Sequence, residues 1–136
     1  MTLEADIRDT LISGGITDPV YIGEFPPTPP ALDTAFAVIG YPGLPPTHTL
    51  GAAARMTSFM EEARVQVNAR SSDTLTAQTR ADAAIVVLDG IVQTQINGLM
   101  YHTIEALQRP AFRLMRDDNN RVIFTSNFAV RRAATS

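Results

Sequence analysis

The chain has 136 residues, of which 45% are hydrophobic, so it can bury one core but is too short for two ordinary domains. Its 14 acids outnumber its 11 bases, all of them Arg, and the formal charge of -3 argues against a general nucleic-acid-binding protein. Cysteine is absent, which excludes disulfides, thiolate catalysis and cysteine metal sites. We therefore expect a single domain that spans residues 1–136.

The N-terminal segment "MTLEADIRDT" has neither a basic stretch nor an apolar run, so it is not typical of a signal peptide. No apolar run approaches the roughly 18 residues of a membrane helix, and we expect a soluble protein made in a cytoplasm.

The N-terminal segment predicts a helix, because apolar residues recur at helical spacing at Leu3, Ile7 and Leu11. Thr2 is the expected N-cap, and the helix is expected to end at Gly14-Gly15. "VYIGEF" then predicts a short strand, and "PPTPP" at residues 26–30 a stiff connector.

The middle of the chain predicts two strands separated by a loop. "TAFAVIGYPG" is typical of a buried strand that ends in a Pro-Gly turn, and "LPPTHTLGAAA" of a loop. From Met56 onward a long strand is expected, because Val65, Val67 and Ala69 alternate with polar residues. We interpret the polar side as an exposed face that presents Arg64 and Arg70.

The C-terminal half predicts a helix and two hairpins. "SSDTLTAQTRADAAIVVLDG" indicates a helix capped by Ser72 or Asp73 and ended by Gly90. Its buried stripe is expected to consist of Ala77, Ala81, Ala84, Ile85 and Leu88. Between residues 92 and 107 the pair Asn97-Gly98 indicates a weaker hairpin. The segment "FRLMRDDNNRVIFTSNFAVRR", residues 112–132, has two alternating runs joined by four turn-forming residues, and it predicts the second hairpin.

Reactive chemistry has little support in the sequence. His48 and His102 are 54 positions apart and neither has ligand spacing around it, so both are interpreted as structural. No serine lies in a GxSxG context. The adjacent acids Glu61-Glu62 and Asp117-Asp118 are more typical of solvated side chains than of an acid/base pair. We predict no catalytic, cofactor or metal site.

The order of these elements resembles the minor capsid and tail terminator proteins of long-tailed bacteriophages over nearly the whole chain. The most specific parts are "VQVNAR" running into "TRADAAIVVLDG" and the C-terminal "RPAFRLMRDDNNRVIFTSNF", in which a proline, a short strand, an acidic turn, an Arg and a last strand follow one another. One departure concerns the start of the second helix, where the family more often has an aromatic residue and this chain has Leu75 or Thr76.

The resemblance implies an α/β (α+β) fold, with a twisted, mostly antiparallel sheet and helices packed on one face. It implies a homo-hexameric ring that sits on the last ring of tail tube protein, ends tube polymerisation and joins the tail to the head-tail connector protein. DNA would pass through this ring without sequence-specific binding, no cofactor or membrane would be involved, and the protein would be assembled in the host cytoplasm and reside in the virion. Two alternatives stay open: a neck or head-closure protein of the same particle, and an enzyme of unknown chemistry.

Exposed Arg is enriched at protein interfaces, and the C-terminal hairpin is expected to be an assembly element. We expect the following residues at a subunit or tube interface: Arg64, Arg70, Arg113, Arg116, Asp117, Arg121, Phe128, Arg131 and Arg132. Residues 1–33 carry six acids and one Arg, whereas residues 109–136 carry six Arg and two Asp. These opposite charges could complement each other across neighbouring subunits, the two ends could meet within one subunit, or both could simply be solvated. In the first case, changing Arg131 and Arg132 to Glu would weaken ring assembly at low salt and leave the melting temperature of the monomer nearly unchanged.

Overall fold

The computed structural model describes residues 2–23, 25, 34–42, 47–48, 59–116 and 121–133. Within these residues two helices and eight strands occur, in the order α1 (Leu3–Ser13), β1 (Val20–Ile22), β2 (Ala35–Pro42), β3 (Thr47–His48), β4 (Phe59–Ser71), α2 (Thr74–Leu88), β5 (Ile91–Ile96), β6 (Leu99–Ala106), β7 (Phe112–Arg116) and β8 (Val122–Ala133). No helix among them is long and apolar enough to cross a membrane.

Both helices begin and end where the sequence predicts. The side chain of Thr2 accepts a hydrogen bond from the Ala5 amide at 3.2 Å and caps α1, which ends at Gly14. The Asp73 carboxylate accepts a bond from the Thr76 amide at 2.9 Å and caps α2. Hydrogen bonds from Thr76 lower the pKa of Asp73, because they favour its charged form.

The buried stripe of α2 consists of the predicted residues, Ala77, Ala81, Ala84, Ile85 and Leu88. Three of these five are alanines, so the helix axis can lie close to the sheet. The other expected strands are also present, with bounds that differ by a few residues from those expected. The segment "LPPTHTLGAAA", expected to be a loop, contains the two-residue strand β3, which pairs with the start of β4. The "PPTPP" connector lies outside the described residues.

The sheet has the strand order β1-β2-β4-β8-β6-β5, with β3 also paired to β4 and β7 also paired to β8. Among the described strands, only β1 and β2 pair in parallel; the other pairs are antiparallel. The longest ladder joins β4 to β8, from Met60 opposite Ala133 to Ser71 opposite Val122. On its other side β8 pairs with β7 along its first half and with β6 along its second half.

The core lies between this sheet and the two helices, which also contact each other. Val65 and Ala69 of β4 lie opposite Phe128 and Phe124 of β8, and all four side chains belong to the core cluster. The predicted fold class, a mostly antiparallel sheet with helices on one face, is therefore confirmed.

Candidate assembly interface

Strand β7 presents its side chains to solvent along its whole length. All five of its residues are exposed, including the apolar Phe112, Leu114 and Met115, whose exposed fractions are 40%, 45% and 49%. In the described part of the chain, β7 pairs with β8 on one side and with no strand on the other. An uncovered edge strand with apolar side chains is a template for pairing with another chain. It is therefore the strongest candidate for an assembly surface.

Side chains of α2 and of the residue that follows it hold the connection that precedes β7. The Asp82 carboxylate accepts a hydrogen bond from the Ala111 amide at 3.0 Å. Asp89 accepts bonds from the Ala106 amide at 2.8 Å and from Arg109 Nη1 at 2.9 Å. Because these acceptors belong to α2 and to the residue that follows it, the edge strand leaves the body of the protein at a fixed position.

The connection is also fixed to the central strand. Gln108 Oε1 accepts a bond from the Asn127 amide at 3.1 Å, and the Leu107 amide donates to the Asn127 carbonyl at 2.8 Å. On the helix side, Val86 and Pro110 line a shallow groove together with Asp82, Ile85 and Arg109. Val86 is 73% exposed, so the apolar surface next to the connection continues onto α2.

Two of the expected interface residues, Arg113 and Arg116, lie on β7 and are exposed. Arg121 is half-buried just before β8, and Asp117 lies outside the described residues.

The exposure of the three apolar residues of β7 was not predicted from the sequence. The alternating pattern indicated a strand, but exposure depends on the lack of a neighbour beyond β7, which the local pattern does not contain.

The expected exposure of Arg70 is wrong. The residue is only 2% exposed, and the centroid of the Phe25 ring lies 4.3 Å from its guanidinium carbon. A cation over an aromatic face is attracted to it, so a residue that follows β1 covers the end of the predicted polar face. Arg64, on the same face, is half-buried. The interface role expected of Arg64 remains a prediction.

In the folded subunit, the side chain of Phe128 is not accessible to a partner chain. It is fully buried on the helix side of β8, opposite Val65, and belongs to the core. This burial argues against apolar contacts of Phe128 across a ring, and the interface role expected of it remains a prediction. By strand alternation Phe128 lies on the same face as Val122, Phe124 and Val130. The helices pack against this face, so these side chains are buried.

Arg131 and Arg132 both meet acids within their own subunit. Arg131 Nε lies 3.6 Å from Glu62 Oε1, and the Arg131 side chain is 53% exposed. Arg132 Nη1 lies 4.0 Å from Asp6 Oδ2, with exposed side-chain fractions of 11% and 1%. The two ends of the chain therefore meet inside one subunit at this point. From this geometry we expect a charge change at Arg132 to destabilise the monomer, contrary to the prediction made from the sequence.

Asp6 is the centre of a buried polar network. It accepts a hydrogen bond from the Tyr101 hydroxyl at 2.5 Å and one from Asn97 Nδ2 at 2.7 Å. Arg132 Nη1 donates to the Tyr101 hydroxyl oxygen at 3.2 Å. The network thus ties α1 to the β5–β6 turn, to β6 and to the end of β8.

The pKa values of two groups at this network are shifted: Tyr101, and Asp9, which shares the side-chain amide of Asn97 with Asp6. Burial, together with the hydrogen bond to Asp6, raises the pKa of Tyr101 well above its ordinary value, so its hydroxyl remains a donor. The hydrogen bond from Asn97 lowers the pKa of Asp9, which accepts it at 3.1 Å. Both shifts keep the groups in the protonation states that their hydrogen bonds need.

Metal-binding chemistry has no support among the described side chains, since no group of three or more His, Asp or Glu residues could hold an ion there. His102 is half-buried, and its Nδ1 lies 3.4 Å from Gln93 Oε1. His48 lies in β3, and its side chain is outside the described part.

Comparison with known proteins gives two findings. The family model described as "Bacteriophage tail terminator protein" matches residues 5–133. A chain of the solved structure described as "Virion of native gene transfer agent (GTA) particle" has a similar fold, with a TM-score of 0.62 and 18% sequence identity over 97% of this chain and 95% of that one. Among curated proteins no relative was found.

Proposed function

Because the chain belongs to the bacteriophage tail terminator proteins, and therefore has a structural role in a tail, we propose that it forms a ring that caps the tail tube. The ring is hexameric, ends polymerisation of the tube protein and joins the tail to the head-tail connector. It is assembled in the host cytoplasm and remains in the virion, and DNA passes through it without sequence-specific binding. This role needs no catalytic step.

The observation that carries the proposal is the exposed edge strand β7. A ring of identical subunits needs two different surfaces on each subunit, one of which binds the other on the next copy. An edge strand with three exposed apolar side chains and two Arg offers one such surface, since its outer edge pairs with no other described strand and its side chains can supply specificity.

Assembly with purified tube protein tests this proposal. Tube protein that polymerises alone should give long tubes of variable length, and addition of this protein should stop growth and leave a ring at one end, visible by negative-stain electron microscopy. Light scattering should report the same arrest. A strict monomer that never binds tube ends would contradict the proposal.

A further inference from the structure

The sheet has the form of a strip with a step in each lateral edge. Two rows of residues that lie side by side across the sheet define this form. The lower row crosses β1, β2, β4, β8 and β7 through Val20, Phe36, Ala69, Phe124 and Arg113. The upper row crosses β2, β4, β8, β6 and β5 through Pro42, Ala63, Val130, Ile104 and Ile91. Both rows are five strands wide, but the upper row is displaced by one strand.

The two steps are complementary among the described strands. On one flank, β1 lies beyond β2 in the lower row, and the upper row ends at β2. On the other flank, the lower row ends at β7, and the upper row extends one strand further, to β5. A second copy in the same orientation, placed beside the first, would therefore bring its β1 into the recess next to β7. The β5 strand of the first copy would lie beside the upper part of β2 of the second copy.

Strand direction is also compatible with this contact. β1 is parallel to β2, β2 is antiparallel to β4, and β4 is antiparallel to β8, so β1 and β8 run in the same direction. β7 is antiparallel to β8. β1 of the second copy would therefore lie antiparallel to β7 of the first, which is the commoner and slightly more stable form of strand pairing.

We propose that β7 of one subunit pairs with β1 of the next, so that the sheet continues across every subunit junction of the ring. This inference rests on the proposed function and names the contact that builds the ring. At the junction Phe112 and Tyr21 share a level and the face away from the helices, because each lies in the row through Asn68 and Thr125. An aromatic pair at that position stabilises an antiparallel junction.

A second copy's β1 suits β7 better than a second copy's β7. Two β7 strands paired with each other would bring the Arg113 and Arg116 of one copy next to those of the other, and like charges across strands are destabilising. The residues of β1, Val20, Tyr21 and Ile22, carry no charge, and Ile22 is 44% exposed. A β7–β7 contact would also pair identical surfaces, which gives a closed dimer and not a ring.

The absence of cysteine allows a direct test. Within one subunit Tyr21 and Phe112 lie on strands four positions apart, about 19 Å at the usual strand spacing. A disulfide needs Cα atoms within about 7 Å, so Tyr21→Cys and Phe112→Cys can be joined only between subunits. Two single variants should cross-link to a dimer only when mixed, and the double variant should give a ladder of covalent oligomers on tube-capping rings.

Tyr21→Cys with Val92→Cys is the matched control. Val92 lies on the same flank as β7 but in the row of Arg131, six residues further along β8 than the row of Phe112 and Thr125. The Tyr21/Phe112 pair should cross-link at least about tenfold faster than the control pair, since thiols held together react at a raised effective concentration. Val20→Cys with Arg113→Cys, a pair on the helix side, provides a second test that retains both aromatic residues.

The outcomes separate the junction from the function. If the cysteine-free protein caps tubes while neither test pair exceeds the control, the β7–β1 junction is wrong and the capping role stands. If the cysteine-free protein forms no ring and caps no tube, the proposed function fails and the junction fails with it.

Discussion

Replacing Arg132 with Glu should strongly destabilise the free subunit. The substitution removes the cation next to the buried Asp6, takes a hydrogen bond from the Tyr101 hydroxyl and adds a second carboxylate beside the first. Loss of one partner of a buried ion pair costs about 3 kcal/mol or more. For a protein of this size the melting temperature should fall by roughly 10 °C, measured by circular dichroism.

Arg131→Glu is the matched control for this prediction. Arg131 is the neighbouring residue, its side chain is 53% exposed, and its contact with Glu62 Oε1 is 3.6 Å long. Exposed pairs contribute about 0 to 1 kcal/mol, so this variant should unfold within a few degrees of the parent. Equal melting temperatures for the two variants would show that the Asp6 network does not stabilise the fold.

Replacing Leu114 and Met115 with Glu should prevent ring formation and leave the subunit folded. Both side chains are nearly half exposed in the monomer, so the monomer loses little buried apolar area. At a subunit junction the two carboxylates would have to be desolvated, and this should weaken association by about a hundredfold or more. Sedimentation velocity over a concentration series measures the change, and circular dichroism checks the fold.

Val86→Glu serves as the control for the edge-strand variant. Val86 is a still more exposed apolar residue, at 73%, but it lies on α2 and not on the sheet edge. Its substitution should leave ring formation unchanged if the edge strand makes the contact. Loss of rings in the Val86 variant alone would place the contact in the groove beside α2.

Local patterns were sufficient to predict the helices and most strands. The five buried residues of α2 follow from helical spacing, and the Asn97-Gly98 turn does join β5 to β6, with both residues at positive φ. In such elements the residues that decide the structure lie within a few positions of one another, so the sequence displays them directly.

The interface residues could not be predicted in the same way, because their exposure depends on distant parts of the chain. Arg70 is covered by Phe25, which is 45 positions earlier, and Arg132 meets Asp6 from the opposite end of the chain. The exposure of β7 depends on which strands lie beside β8 and where each of them ends. These relations are fixed by the order and register of the sheet, which period-two alternation does not specify.

The length of the tails made in the absence of this protein tests its proposed role most directly. Particles from a phage that lacks the gene should carry overlong tails of variable length in electron micrographs, and a copy supplied in trans should restore one uniform length. Heads that lack tails and leak DNA would contradict tube capping and indicate a neck or head-closure protein instead.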